Sequence, residues 1–296
     1  NFPDEVFRNY ISENYDVDSN GVLSDSEIEE AKVFLLDSME ISDLKGIEYF
    51  TSLIKLFANK NQLTSLDLSK NTALERLECN YNQLMSLDLS NNTALTSLWC
   101  DHNQLTSLDI SKNAALSGLY CNDNQLTSLD LSNKSELAFL YCGKNQLTAL
   151  DVSNNAALLL LYCGGNMIKN LDVSRNYALT SLTCSGNRLK SLDVSNNTAL
   201  TTLGCQYNAL TSLDISRNTA LTELYCQNNE LTSLDLSSNT ILASLSCADN
   251  QYTLKTASLS ELTERGFDGT KAGNWQGATY DDAANSLTNI TSDIVT

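Results

Sequence analysis

The sequence predicts an α/β solenoid in which parallel strands stack coil upon coil between a small helical segment and a strand-rich segment. Three observations support this prediction. A 21-residue pattern recurs from Leu63 to Asp249 with almost no insertions. Apolar stripes flank an acidic loop before the repeats, and the period stops after Asn250. A strict short period indicates a solenoid because each unit buries its apolar face against the next one.

These observations divide the 296 residues into three segments. Residues 1–40 are predicted to form a helical N-terminal cap, and residues 41–250 a solenoid of about ten coils, nine of them with a cysteine. Residues 251–296 are predicted to form a β-rich C-terminal cap. Caps are expected because the open end of a solenoid exposes an apolar edge to water.

The composition argues against two classes of partner. The chain carries 36 acidic against 18 basic residues, a formal net charge of −18, and has no run of Lys and Arg. Such a chain repels nucleic acids and anionic membranes. Its longest apolar run, residues 156–163, is far shorter than the roughly 20 residues of a transmembrane helix. We expect a monomer with no nucleic-acid partner and no membrane insertion of this fragment.

One repeat unit, SGLYCNDNQLTSLD at residues 117–130, shows how a coil is built. The spacing L-x-x-L-x-C-x-x-N-x-L over residues 116–126 matches the leucine-rich-repeat pattern, with cysteine at an inward leucine position. Side chains alternate along a strand, so Leu119 and Cys121 are predicted to point inward and Tyr120 outward. The cysteines in register are Cys79, Cys100, Cys121, Cys142, Cys163, Cys184, Cys205, Cys226 and Cys247.

The cysteine column is predicted to be buried and reduced. Neighbouring strands lie about 4.8 Å apart, and parallel side chains keep their Cβ atoms near that spacing rather than at the ~3.8 Å of a disulfide. We therefore expect small apolar groups, with metal or redox chemistry as the alternative.

Two polar columns accompany the strands. The asparagine three residues after each cysteine, such as Asn124, is predicted to turn inward and bond the backbone of its turn and of the next coil. The aspartate in the other half of each unit, such as Asp130, is predicted to accept N–H groups of the S-x-N turn behind it, or else to form a row of weak cation sites. The aspartates are Asp67, Asp88, Asp109, Asp130, Asp151, Asp172, Asp193, Asp214 and Asp235.

The unit with cysteine at an inward leucine position resembles the repeats of the cysteine-ladder internalins and related bacterial surface leucine-rich-repeat proteins. The resemblance covers roughly 200 of the 296 residues. It implies a right-handed curved solenoid, secretion to the cell envelope, and adhesion or host-surface binding through the strand face. The N-terminal segment departs from the usual internalin cap.

That segment carries a second motif, DVDSNGVLSDSE at residues 16–27. It matches the 12-residue EF-hand calcium loop, with oxygen ligands at positions 1, 3, 5, 7, 9 and 12 and glycine at position 6. We predict a structural Ca²⁺ that stabilises the cap. The predicted ligands are Asp16, Asp18, Asn20, the Val22 carbonyl group and Glu27, with Ser24 at position 9. The alternative is that Ser24 and Glu27 form only a helix capping box.

Flanking patterns complete both caps. An apolar stripe from Phe2 to Ile11 predicts the entering helix of the loop, and Ile28, Ala31 and Val33 predict the start of the exiting helix. At the other end, four glycines around Trp275 predict short strands and turns, with Trp275 buried there or, alternatively, in a binding site. The glycines are Gly266, Gly269, Gly273 and Gly277.

The residue before each cysteine varies where a scaffold column would repeat. Contiguous exposed apolar groups usually mark interaction sites, so we predict a ligand-binding surface, the aromatic strand face. It consists of Trp99, Tyr120, Phe139, Tyr141, Leu160 and Tyr162. The alternative is that the rings stack on one another and only stabilise the sheet.

Catalysis is not predicted, because the one histidine, His102, has no nucleophile beside it in any recognisable motif. Two classes of function remain. The favoured one is an extracellular or cell-surface adhesion module that binds a protein or carbohydrate of a host or neighbouring cell through the aromatic strand face. The alternative is a structural spacer or stalk in a larger surface protein.

Overall fold

The computed structural model describes residues 2–251, 279–281 and 286–288. The chain divides into two compact units, residues 1–147 and residues 148–296. In each unit the repeats form a leucine-rich-repeat solenoid with one short parallel strand per coil. Among the described residues, no helix has the length and apolar character that crossing a membrane requires.

The first unit begins with two helices and continues with six parallel strands. Aspartate and serine begin the helices: Asp4 accepts the N–H groups of Val6 and Phe7, and Ser24 accepts that of Glu27. The elements are α1 (Glu5–Tyr15), α2 (Asp25–Glu30), a 3₁₀ turn (Ile47–Tyr49), β1 (Val33–Leu35), β2 (Lys55–Phe57), β3 (Arg76–Glu78), β4 (Ser97–Trp99), β5 (Gly118–Tyr120) and β6 (Phe139–Tyr141).

The second unit continues the same coil design. Its parallel strands are β7 (Leu160–Tyr162), β8 (Ser181–Thr183), β9 (Thr202–Gly204), β10 (Glu223–Tyr225) and β11 (Ser244–Ser246). Two further strands, β12 (Thr279–Asp281) and β13 (Ser286–Thr288), pair antiparallel within the segment predicted as a β-rich cap. Trp275 and the four glycines around it lie outside the described residues.

The core consists of columns in which equivalent inward side chains of successive coils stack on one another. Equivalent residues pair across neighbouring strands, as Leu98 does with Leu119, so leucine stacks on leucine. These side chains are completely buried. Each contributes roughly 1.5 to 3 kcal/mol of hydrophobic stabilisation. The period of the sequence thus becomes the period of the core.

The cysteine column is buried, as predicted. All nine thiols lie in the interior and none is in a disulfide. Burial, reinforced by the charges of Asp101 and Glu78, raises the pKa of the Cys79 thiol to about 12. Burial raises that of Cys184 to about 12 as well. At neutral pH these groups keep their protons and act as apolar core atoms.

The asparagine column ties each coil to the preceding one, not to the next one as predicted. Asn103 donates through Nδ2 to the carbonyl groups of Cys79, Cys100 and Asp101, at 3.0, 3.2 and 3.2 Å. Its Oδ1 accepts the N–H of Leu84 at 3.1 Å. The asparagine bonds to the preceding coil because, in the described part of the chain, no backbone N–H of the strand ladder donates to the cysteine carbonyl there. That carbonyl group accepts from side-chain amides instead.

A second buried asparagine column, which the sequence did not predict, lies in the S-x-N turns. Asn92, for example, donates to the carbonyl groups of Leu68 and Asn71 at 3.1 and 2.9 Å. The aspartate column behaves as predicted, since each member accepts the N–H two residues later. Among the described residues, no three of these aspartates bring their oxygens within 4.8 Å of one another.

The first strand starts within the range predicted for the N-terminal cap. Helix α2 ends at Glu30, and Val33, predicted to lie on the exiting helix, belongs to β1. Strand structure prevails because the alternation of Val33, Phe34 and Leu35 buries only Phe34. The edge of β1 is bonded by α1, because the Tyr15 hydroxyl donates to the Val33 carbonyl at 2.5 Å and the Leu35 N–H donates to the Tyr10 hydroxyl at 2.9 Å.

Candidate functional site

Three members of the aromatic strand face form one continuous stack in the first unit, here called the ring stack: Trp99, Tyr120 and Tyr141. The centroids of Trp99 and Tyr120 are 3.9 Å apart with 20° between the planes. Those of Tyr120 and Tyr141 are 4.8 Å apart with 16° between the planes. Parallel in-register strands place equivalent side chains at the strand spacing, which is close to the thickness of stacked rings.

A cation extends the ring stack at its tryptophan end. The Arg76 guanidinium lies 5.5 Å from the centroid of the Phe57 ring and 5.7 Å from that of Trp99. Arg76 also forms a salt bridge with Glu78 at 2.5 Å. The central ring, Tyr120, is covered on one face by Trp99 and on the other by Tyr141. The stack therefore presents mainly ring edges to a partner.

The other three members of the aromatic strand face lie on strands β6 and β7. Phe139 begins strand β6 of the first unit and is 40% exposed. Leu160 and Tyr162 are half-buried on β7, the first strand of the second unit.

Gly118 lies under the Tyr120 ring, where a Cβ would come within 3.2 Å of Cε2. A small residue at this position lets the ring settle on the sheet.

A row of outward side chains whose hydrogen bonds the sequence did not predict runs beside the ring stack. We call it the polar ladder: Asn59, Asn80, Asp101 and Asn122. Each accepts the backbone N–H of the equivalent residue in the following coil, at 3.0, 2.7, 2.6 and 2.7 Å in that order. The signal in the sequence was an Asn or Asp directly after the cysteine position. These bonds fix the outer surface of the first unit.

A second aromatic pair lies beyond the polar ladder. Tyr81 and His102 stack at 4.1 Å with 14° between the planes. Both have a positive φ of 55° and 53°, at the turn that follows the strand. The His102 Nε2 lies 3.6 Å from Asp123, which also pairs with Lys144 at 3.3 Å. His102 therefore belongs to a charged and aromatic edge beyond the polar ladder.

Asp101 differs from the other charged residues of this surface in its hydrogen bonds and its burial. Its carboxylate accepts from both the backbone N–H and the side-chain amide of Asn122, at 2.6 and 2.9 Å. Burial nevertheless raises its pKa above the ordinary value. Burial also raises the pKa values of Tyr120 and Tyr141, and the nearby charge of Asp101 contributes to both. Among the described residues, no cation lies within 4.0 Å of the Asp101 carboxylate.

The loop between α1 and α2 brings together part of the predicted calcium ligand set. Carboxylate oxygens of Asp16, Asp18 and Glu27 lie within 4.8 Å of one another, the one such cluster of three or more that the described residues form. Asp16 accepts the N–H groups of Asn20 and Gly21 at 3.1 and 2.9 Å. Gly21 has a φ of 79°, which a residue with a side chain rarely adopts.

The predicted alternative for the loop is present too. Ser24 and Glu27 form a capping box, in which the Ser24 Oγ accepts the N–H of Glu27 and Glu27 Oε2 accepts the N–H of Ser24 at 2.7 Å. These hydrogen bonds from Ser24 lower the pKa of Glu27. The second oxygen, Oε1, accepts the N–H of Val17 at 2.7 Å. Glu27 therefore joins the start of α2 to the start of the loop.

Comparison with known proteins agrees with this architecture. A structure of the functional domain of InlJ from Listeria monocytogenes, which includes a cysteine ladder, is 28% identical, with 97% of this chain and 90% of that chain covered and a TM-score of 0.62. A leucine-rich-repeat protein of Leptospira interrogans is 24% identical, with 77% and 63% covered and a TM-score of 0.72. The latter shows the fold alone.

Two sequence comparisons give shorter matches. Internalin J of Listeria monocytogenes is 38% identical over 71 residues, which is 24% of this chain and 8% of that protein. The LVIVD repeat model matches residues 138–162. The likeness to InlJ and the buried thiol column show that the chain has a leucine-rich-repeat fold with a column of cysteines similar to the cysteine ladder of InlJ.

Proposed function

We propose that the chain is an extracellular or cell-surface protein-binding module whose partner contacts the strand face of residues 1–147 at the ring stack. One observation carries the proposal. The positions before the cysteines hold three stacked rings in this unit, whereas the same column in the second unit includes Thr183, Gly204 and Ser246. Since the cysteine and aspartate columns repeat along the chain, a column that varies as much as this one is free to serve recognition. The extracellular placement is supported by the likeness to InlJ.

The geometry of the rings favours a protein over a carbohydrate partner. A sugar stacks its apolar face on an open ring face, but Tyr120 is covered on both sides and Trp99 lies between Tyr120 and Arg76. Ring edges and hydroxyl groups suit the mixed apolar and polar surface of a protein interface. Rings held in a stack also lose little conformational entropy on binding.

Trp99→Ala is expected to weaken binding by about 1 to 4 kcal/mol, the range of interface hot spots. Loss of the indole removes the end of the ring stack and the contact of Arg76. An array of extracellular protein domains and glycans is screened for ligands of the wild-type protein. The affinity of each variant for those ligands is then measured. The matched control is Asp109→Asn, which changes an exposed carboxylate in the other half of the same coil.

The spacer alternative makes a different prediction for the same proteins. If the rings only stabilise the sheet, Trp99→Ala lowers the melting temperature and leaves the affinity of every hit unchanged. An array without any ligand that depends on Trp99 would contradict the proposed binding function.

We also propose that the loop at residues 16–27 binds a structural Ca²⁺, with Asp16, Asp18, Asn20, the Val22 carbonyl group and Glu27 as ligands. The clustered carboxylates support the proposal, because they repel one another until a cation joins them. The ion would hold α1 and α2 together over the edge of β1, where Tyr10 and Tyr15 bond the strand. It would therefore stabilise the cap.

Glu27→Gln is expected to abolish the rise in melting temperature that Ca²⁺ produces. Glutamine keeps a capping box with Ser24 but cannot supply a bidentate carboxylate, so the variant separates the two interpretations of the loop. Calorimetry with calcium and with chelator measures the effect, which follows mass action. Asp25→Asn, outside the ligand positions, should retain the full calcium response. A wild-type melting temperature that is the same in calcium and in chelator would contradict the calcium proposal.

A further inference from the structure

We propose that the strand face of the first unit recognises a basic side chain, lysine or arginine, on an extended segment of its protein partner, and that Asp101 is the residue that pairs with it. This inference rests on the proposed binding function and adds the chemistry of the partner.

The charge of Asp101 is not needed for the fold. Asn59, Asn80 and Asn122 occupy equivalent positions of the polar ladder and accept the N–H of the following coil with a neutral amide oxygen. Asp101 makes the same bond to the N–H of Asn122. An asparagine at position 101 would therefore serve the ladder equally well. Asp37 makes the same bond to the N–H of Asn59 at 2.7 Å, so the ladder accepts either side chain and does not require the negative charge at position 101.

The neighbouring charges are already balanced. Glu78 pairs with Arg76 at 2.5 Å, and Asp123 pairs with Lys144 at 3.3 Å. Within the part of the chain that the structure describes, Asp101 has no cation within 4.0 Å. Burial raises the pKa of Asp101 and prevails, although the hydrogen bonds from Asn122 and the adjacent His102 oppose the rise. A half-buried carboxylate without a direct ion pair is costly, because burial removes water from around the charge. A cation from the partner supplies the missing charge.

The surroundings of Asp101 fit the stem of a basic residue. Trp99 lies two residues earlier on the same face of the coil, and the carboxylate is near enough to Tyr120 and Tyr141 for its charge to affect both phenols. Tyr81 and His102 stack on the other side of the polar ladder. Lysine and arginine pack apolar stems against such rings while the charged head reaches a carboxylate. Charge complementarity thus selects a basic partner segment.

Asp101→Asn is the variant that isolates this charge, because it reproduces the ladder residue of the adjacent coils. The probe is a random peptide library displayed on phage and selected on the wild-type protein. We expect selected peptides to contain lysine or arginine, and their affinity to fall about tenfold or more in Asp101→Asn, the size of a lost charge-assisted hydrogen bond. Asp109→Asn has the same change in net charge within the same coil and should bind with unchanged affinity.

Peptide variants make the test independent of how the protein variant folds. Replacing the basic residue of a selected peptide by glutamine should weaken binding to wild type and have no further effect on Asp101→Asn, as expected for two groups that pair. Peptides that need Trp99 but bind Asp101→Asn as tightly as wild type would overturn this inference and leave the proposed function intact. A library without any peptide that depends on Trp99 would contradict both.

Discussion

Asn103→Ala is expected to lower the free energy of unfolding by about 3 kcal/mol or more, through the loss of several buried hydrogen bonds at once. The Asn103 amide donates to the carbonyl groups of Cys79, Cys100 and Asp101 and accepts the N–H of Leu84. Alanine removes every one of these bonds and brings no replacement. A buried polar group left without a partner costs roughly 1 to 3 kcal/mol.

The matched control is Asn91→Ala in the neighbouring repeat. Asn91 is exposed, so the same chemical change should alter stability by less than about 0.5 kcal/mol. Urea denaturation followed by circular dichroism measures both variants. Equal destabilisation of the two proteins would show that the asparagine column does not hold the coils together.

Phe34→Ala is expected to cost about 3 to 5 kcal/mol and to release α1 from the first strand. The Phe34 ring packs against Phe7, Tyr10 and Tyr15 of α1, with centroids 6.0, 5.8 and 5.3 Å away. On its other side it contacts Phe50 at 4.8 Å. Its loss leaves a cavity in the middle of the contact between the helix and the first coil.

Leu35→Ala provides the comparison on the same strand, because its side chain is 62% exposed. We expect little change in stability for this variant. Limited proteolysis should cut α1 of Phe34→Ala faster than α1 of the Leu35 variant and of wild type. Equal cleavage rates in all three proteins would mean that Phe34 does not anchor the cap.

The candidate site was predictable only in part. The variable column pointed to Trp99, Tyr120 and Tyr141, and the structure joins these three rings in one stack. Which surfaces of the rings remain open could not be predicted, since it depends on the spacing of coils and on Arg76 beside Trp99. The role of Asp101 could not be predicted either, because one carboxylate among 36 acidic residues carries no signal until its neighbours are known.

The loop at residues 16–27 shows the opposite case. The approach of Asp16, Asp18 and Glu27 was predictable from local spacing, because all three lie within one short segment whose conformation glycine and aspartate largely determine. The helix after it was predicted too long. Val33 pairs with Lys55 in β2, and a contact between residues so far apart in the chain overrides a local helical pattern.

The sequence by itself determined the solenoid, its 21-residue period, the buried cysteine column and the aspartate turns, because each follows from contacts within one repeat or between identical repeats. Only the tertiary structure decided the direction of the asparagine bonds, the polar ladder, the tyrosine contacts on β1 and the uncompensated charge of Asp101. Those features depend on which backbone groups the strand ladder leaves open and on side chains that differ from coil to coil. The repeating pattern does not specify these features, because they depend on contacts between non-identical side chains of neighbouring coils.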